Sequence, residues 1–267
     1  MKKLIFSVIA VAVIVCACSV RSERSSEFVR VENGQFVRGE DTLSFVGTNF
    51  WYGPLIASEG RGGNRERLHK ELDALKSIGV TNLRILVGSD GPEGVAYKVE
   101  PVLQLEPGVY NDTVLRGLDY LLAQMAERDM HAVLYFNNSW EWSGGYGQYL
   151  EWAGNGRALL PSVDGYENYV DHVSRFVKDE KAKELYYNHV KNIVTRTNTV
   201  TGKPYTEDPT IFSWQIGNEP RAFARDSVTK AAFADWMCTS ASLIKSLDPN
   251  HMVSSGSEGL YGCEVDM

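Results

Sequence analysis

The chain has 267 residues, 43% of them hydrophobic and 23% charged, enough for one sizeable core. Its 27 Lys and Arg face 34 Asp and Glu, a net charge of −7. That balance argues against nucleic acid as a partner.

The first residues read as an export signal. Lys2 and Lys3 form a short basic region, and residues 4–17 are apolar apart from Ser7. The run is too short for a comfortable membrane-spanning helix and right for a signal peptide over residues 1–17. Val15-Cys16-Ala17-Cys18 resembles a bacterial lipobox, which makes Cys18 the expected lipidated residue. An ordinary cleaved signal, or a lipobox placed on Cys16, stays open. Residues 18–27 are rich in Ser, Arg and Glu and read as a flexible tether.

Strand and helix patterns then alternate. Phe28-Val-Arg-Val and Gln35-Phe-Val-Arg flank Asn33-Gly34, a hairpin signal. Such a hairpin could plug the bottom of a barrel. Residues 43–50 read as the first strand of the main sheet. Asn64 is placed to cap a helix with Leu68, Leu72, Leu75 and Ile78 on one stripe, ending at Gly79. Residues 81–87 form the second strand. A helix over 112–129 carries Val114, Leu115, Leu118, Leu121, Leu122 and Met125. Residues 131–138 form the third strand, followed by a long Trp-, Tyr- and Gly-rich connection and a helix near 181–196. Residues 211–219 form the fourth strand. A helix over 229–247 carries Phe233, Trp236, Leu243, Ile244 and Leu247, and residues 251–256 form the fifth strand. Strand alternating with helix implies a parallel sheet. The rhythm alone permits a doubly wound fold as well as a barrel.

The segment IFSWQIGNEP, residues 211–220, is the most informative. Alternation puts Phe212, Trp214 and Ile216 on one face, suited to packing under helices, and Ser213, Gln215, Gly217 and Glu219 on the other. Pro220 stops the strand and Asn218 supplies an amide beside the carboxyl of Glu219. In a parallel barrel a carboxylate at the C-terminal tip of a strand is where catalysis sits; the plain alternative is a carboxylate that caps the next turn. Arg84 alternates with Leu83 and Ile85 and so points to the opposite face. An arginine inside a barrel is costly unless paired with a carboxylate. Trp214 and Trp236 fall inside a strand and a helix and read as core, whereas Trp51, Trp140, Trp142 and Trp152 fall at or beyond strand ends. Cys238 and Cys263 read as two unpaired thiols, although an exported domain could pair them. The five histidines are scattered, so no metal site is expected.

The Asn218-Glu219-Pro220 corner resembles the Asn-Glu-Pro signature of glycoside hydrolase family 5. SFVGTNFWYG (44–53), NLRIL (82–86), FNNSWEWSGG (136–145) and SSGSEGLYG (254–262) resemble the β-mannanase branch of that family, in family order and over roughly residues 28–267. The resemblance implies an α/β fold, the (β/α)8 TIM barrel. It also implies hydrolysis, with retention, of internal β-1,4 bonds in mannan, glucomannan or galactomannan. No cofactor is implied, and an acidic surface suits a neutral polymer.

By the same resemblance Glu219 is the general acid/base, Asn218 binds the sugar 2-hydroxyl, and Arg84 sits beside the nucleophile and holds it ionised. Sugar faces stack on aromatic planes; Asn138 and Trp140, in Asn138-Ser-Trp140, match the family as substrate-binding residues, and Trp51 and Tyr52 are further candidates. A retaining glycosidase uses two carboxyls about 5–5.5 Å apart. The family places the second at the end of a seventh strand, whereas this sequence stops just past the fifth. The expectation is therefore the N-terminal portion of an enzyme, about five of eight strands, inactive by itself. Glu258, at the exit of the adjacent strand, is expected as a sugar contact rather than a replacement nucleophile, and Glu264 as a surface or helix-entry acid. Two other functions stay open: a β-1,4-glucanase of the same family, because the corner does not separate mannose from glucose, and a non-catalytic glycan-binding surface lipoprotein. The whole reads as an exported, membrane-anchored lipoprotein with residues 28–267 as its catalytic domain and a polysaccharide and, through its lipid, a membrane as partners.

Overall fold

The computed structural model describes residues 27–259. The signal segment, Cys18, Cys263 and Glu264 lie outside the described residues.

An antiparallel hairpin opens the fold: β1 (Val29–Glu32) pairs with β2 (Gln35–Arg38), and β2 with a short β3 (Asp41–Thr42). Asn33 and Gly34 both have positive φ, 51° and 77°, the conformation a tight two-residue hairpin demands and Asn-Gly supplies. Phe36 of β2 meets Phe45 and Phe212, ring centroids 5.9 and 5.1 Å apart. Arg38 donates to Asp129 at 3.0 Å, just before a main-sheet strand begins. The hairpin thus lies under the N-terminal ends of the main strands, as expected of a plug.

The main sheet holds β4 (Val46–Asn49), β5 (Val80–Leu86), β8 (His131–Tyr135), β9 (Ile211–Gln215) and β10 (Met252–Ser254). A small hairpin, β6 (Gln104–Glu106) with β7 (Val109–Tyr110), stands outside it. The order is β4-β5-β8-β9-β10, every pair parallel. Strand order therefore follows chain order without reversal. A doubly wound sheet reverses at a switch point; this one runs on in a single direction, as consecutive strands of a barrel do.

Four helices start on acidic or amide caps. The Asn64 side chain accepts from Arg67 N at the start of α2 (Arg65–Ser77), which follows the short α1 (Gly53–Ala57). Asn111 caps α3 (Asp112–Ala126), Asp179 caps α7 (Glu180–Val194) and Asp226 caps α8 (Ser227–Leu247). Each such cap satisfies backbone N–H groups that the helix itself cannot, for about 1 kcal/mol. The stripe expected on α3 is buried throughout. On α2, Leu68 and Leu72 are buried but Ile78 is 74% exposed, because the helix ends at Ser77 and the chain turns at Gly79, whose φ is 86°.

The long aromatic connection is helical rather than irregular. It contains α4 (Gly145–Ala153), α5 (Pro161–Asp164) and α6 (Tyr166–Val173). Tyr146 of α4 stacks on Phe176 at 4.4 Å, and both meet Trp236 of α8. Tertiary packing of these rings holds α4, whose Gly145 and Gly147 propensity alone disfavours.

The core lies between the sheet and these helices. Ile85, Leu134 and Trp214 stand opposite one another in register and are all fully buried. Phe212 departs from the expected face. The register shifts between Ala132 and Val133, opposite Ile211 and Ser213, and Phe212 in that irregularity turns to Phe36 and Phe45, the re-aiming a bulge produces.

Candidate active site

The inner face of the arc carries the polar residues of each strand. Arg84 of β5 stands opposite Asn49 of β4, and Tyr135 of β8 opposite Gln215 of β9. The Arg84 guanidinium donates from Nε to Gln215 Oε1 at 2.6 Å, and from Nη1 to Asn218 Oδ1 at 2.8 Å and Asn49 Oδ1 at 3.3 Å. Its Cζ lies 4.1 Å from the centre of the Tyr135 ring. Among the described residues the partners of this arginine are three amide oxygens and an aromatic face. The amide oxygens take three of the five guanidinium N–H donors. Burial pulls the Arg84 pKa down; the negative ends of Tyr135 and Glu219 act the other way.

Beyond Gln215 the chain leaves regular pairing yet stays pinned. Asn218 N donates to Asn137 O at 2.7 Å, and Glu219 N to Gly256 O at 3.1 Å. The corner is thus tied to the exits of β8 and β10. Glu219 has φ 51°, an uncommon left-handed conformation for a non-glycine residue. Such backbone persists where surrounding contacts over-determine it, often at functional sites. Gly256, with φ 86°, makes the closest approach: a Cβ there would stand 1.8 Å from Gly217 O.

The orientation of Asn218 follows from its partners. Arginine can only donate, so Oδ1 faces Arg84. The amide nitrogen then faces Asn138 Oδ1, to which it donates at 3.1 Å. A second N–H remains on that nitrogen. Asn138 is fully buried. Its Oδ1 also accepts from Trp140 N at 3.1 Å, and its Nδ2 donates to Ser143 Oγ at 3.0 Å. It supports the site from beneath.

The Glu219 carboxyl has one indole donor. Trp140 Nε1 donates to Glu219 Oε2 at 2.6 Å. The Trp140 ring lies parallel to Tyr169, 9° between planes and 6.0 Å between centroids, with Phe223 edge-on at 5.5 Å. Arg221 sits 5.2 Å from its centre and forms an ion pair with Glu258. Glu258 therefore joins the mouth through Arg221. Trp51 is 39% exposed and meets the edge of Trp142 at 6.1 Å. Tyr52 donates to Glu71 on α2. Trp152 belongs to α4 and packs on Tyr149, so the four tryptophans expected at strand ends do not form one group.

The structure thus brings Arg84, Asn138, Trp140, Asn218, Glu219 and Glu258 into one connected cluster. Gln215, Tyr135, Asn49 and Arg221 belong to it as well and were not singled out from sequence. Gln215 was visible on the polar face of its strand; the other three gave no periodic signal. Cys238 is a free, exposed thiol. No group of three or more His, Cys, Asp or Glu among the described residues could hold a metal ion.

A family model described as GH family 5 beta-mannosidase-like matches residues 26–267. The chain belongs to glycoside hydrolase family 5. Relatives of this family 5 chain include the putative mannan endo-1,4-beta-mannosidase 9 of Oryza sativa subsp. japonica. The two are 34% identical over 244 residues, covering 89% of this chain and 55% of the relative. Mannan endo-1,4-beta-mannosidase 1 of Arabidopsis thaliana is 32% identical, covering 88% and 51%. The solved glycoside hydrolase family 5 mannosidase from Rhizomucor miehei is 35% identical with a TM-score of 0.81, over 88% of this chain and 57% of that one. The chain spans about half the length of the curated relatives it matches. The five described main strands are an arc of the family 5 (β/α)8 barrel.

Proposed function

We propose that this chain carries the acid/base side of a retaining endo-β-1,4-mannanase. The carrying observation is Glu219 at the exit of β9, with an indole N–H on one carboxyl oxygen and Asn218 beside it, fixed by Arg84 and Asn138. In the first step Glu219 gives its proton to the leaving glycosidic oxygen while a second carboxylate takes the anomeric carbon. In the second, Glu219 takes a proton from the attacking water. The remaining N–H of Asn218 suits a hydrogen bond to the sugar 2-hydroxyl. By resemblance, the second carboxyl is assigned to a later barrel strand than the five described. Support for mannan comes from relatives named for it; none of these observations adds support for a glucanase or a non-catalytic binder.

The test is product release by the protein expressed from its complete reading frame, on mannan, glucomannan, galactomannan and cellulose. Mannooligosaccharides with rapid loss of viscosity are expected. Release from cellulose only, or binding without release, would reject the proposal.

Membrane attachment through Cys18 is a second proposal, supported by the apolar run and the Val15-Cys16-Ala17-Cys18 ending. No helix among the described residues is long and apolar enough to cross a membrane. Cys18→Ala is expected to move the protein from the membrane fraction to the soluble fractions. Unchanged membrane association, with no acyl group by mass spectrometry, would rule lipidation out.

A further inference from the structure

We infer that Trp140 is a positioning residue that confines the exchangeable proton of Glu219 to one carboxyl oxygen, Oε1. The inference rests on the acid/base role proposed for Glu219. Its basis is the direction of one hydrogen bond. An indole N–H is a donor only and has no lone pair to offer in return. Trp140 Nε1 lies 2.6 Å from Glu219 Oε2. A proton on Oε2 pointing along that line would meet the indole hydrogen, so Oε2 stays an acceptor in both protonation states and the acid proton resides on Oε1.

The indole is itself held. Its backbone N donates to the buried amide of Asn138, which also receives Asn218 Nδ2. Its ring is lined by Tyr169, Phe223 and Arg221. Asn138 in turn donates to Ser143 Oγ, and the Ser143 carbonyl accepts from Asp90 N at 2.9 Å. The donor therefore cannot follow the carboxyl if Glu219 rotates. Turning the carboxyl to present Oε2 to the substrate would move Oε1 and its proton against the indole N–H.

The consequence is a single delivery route. In the first step the Oε1–H bond breaks and its proton goes to the glycosidic oxygen, which keeps the electron pair of the breaking C–O bond. The anomeric carbon bonds to the second carboxylate. In the second step water adds to that carbon and gives its proton to Oε1, and the ester electron pair returns to the second carboxylate. Oε2 accepts from Trp140 throughout. Stacking on a sugar needs the ring; this role needs the N–H.

Trp140→Phe separates the two, since it keeps an aromatic plane and removes the donor. In the full-length enzyme, losing a hydrogen bond to a charged group and the fixed geometry should slow the first step on mannan about 10- to 100-fold, with KM little changed. On an aryl mannoside with an activated leaving group, which departs without protonation, the loss in the first step should be smaller, giving a steeper dependence of rate on leaving group. Azide should restore part of the second step. Equal losses on both substrates, or a rise in KM with kcat kept, would overturn the inference. A second measurement needs no turnover: the indole N–H of Trp140, observed by nitrogen-15 NMR, should move upfield in Glu219→Ala. An unmoved resonance would overturn the hydrogen bond itself. Failure of the wild type to release sugar while the resonance shifts would instead strike at the proposed activity.

Discussion

In the role proposed for it Glu219 gives a proton and later takes one, and Trp140 Nε1 and the Gly256 carbonyl hold it in place. Glu219→Gln keeps the shape and removes the donor. General acid/base catalysis is worth about 10²–10⁴-fold, and a loss of that order is expected on mannan. It should be smaller in the first step for an activated aryl mannoside, and azide, which needs no general base, should rescue turnover. Equal pre-steady-state losses on both substrates with no azide rescue would remove Glu219 from the role. Arg84 shows the same economy of design in a different way. Among the described residues its charge is held by amide oxygens and the Tyr135 face, and it fixes Asn218.

At the scale of elements, the corner after β9 depends on the loop after β10. Glu219 N donates to Gly256 O, and Gly256 passes so close to Gly217 that a Cβ would overlap its carbonyl. Gly256→Ala is expected to destabilise by about 1–3 kcal/mol through overpacking and backbone strain, and to lower kcat beyond what lost folding explains. Gly34→Ala is the control. Gly34 also has positive φ, 77°, but nothing lies within 4 Å of the added carbon, so only the left-handed backbone penalty of about 1–2 kcal/mol applies. Thermal melts and kinetics of both variants decide it; indistinguishable behaviour would show that the close approach does not position Glu219.

At the scale of the whole molecule, buried carboxyls set opposing pH trends. Asp90 is fully buried, accepts from Gln104 Nε2 at 2.9 Å, and leaves Oδ2 without a partner among the described residues. Burial raises its pKa to about 7, against the hydrogen bond from Gln104 and the charge of Lys98. An unfolded aspartate titrates near pH 4. Between those values the folded chain holds a proton that the unfolded chain has lost, so stability falls as pH rises and levels off above the folded pKa. Asp119 and Asp248 act oppositely. Burial pushes both up, but hydrogen bonds outweigh it: to Asp119 from Arg196, Tyr205 and Thr199, and to Asp248 from His251 and Trp214. Both pKa values are lowered, and the stability they contribute is lost as pH falls through the folded values. The histidines His189, His131 and His172, whose pKa values burial lowers, that of His189 to about 4, also oppose the Asp90 trend, because below about pH 6.5 the unfolded chain takes up protons that the folded chain does not. Asp90→Asn should match wild type near pH 4 and gain on it towards pH 8, by a few kcal/mol at most, since one pKa unit is worth about 1.4 kcal/mol. A constant difference across that range, from denaturant melts, would assign the trend elsewhere.

Much of this was legible in the residues themselves. Asn33-Gly34 specifies its turn because both positions need positive φ. The cap at Asn64 and the apolar stripe of the helix after Asn111 depend on neighbours within a few positions, so chain order determines them. The Asn-Glu-Pro corner and the alternation before it place Glu219 at a strand exit for the same reason. The tertiary structure alone decided what crosses between strands. Sequential strand order selected the barrel arc over a doubly wound sheet. Arg84 meets amides on β4 and β9, and Phe212 turned to the plug through an irregular register. The aromatic connection became helices because distant rings, Tyr146, Phe176 and Trp236, bury one another. The indole N–H of Trp140 reached a carboxyl 79 residues away. Each of these contacts joins residues far apart in the chain, and periodicity carries no information about which side chains the closing of the sheet brings together.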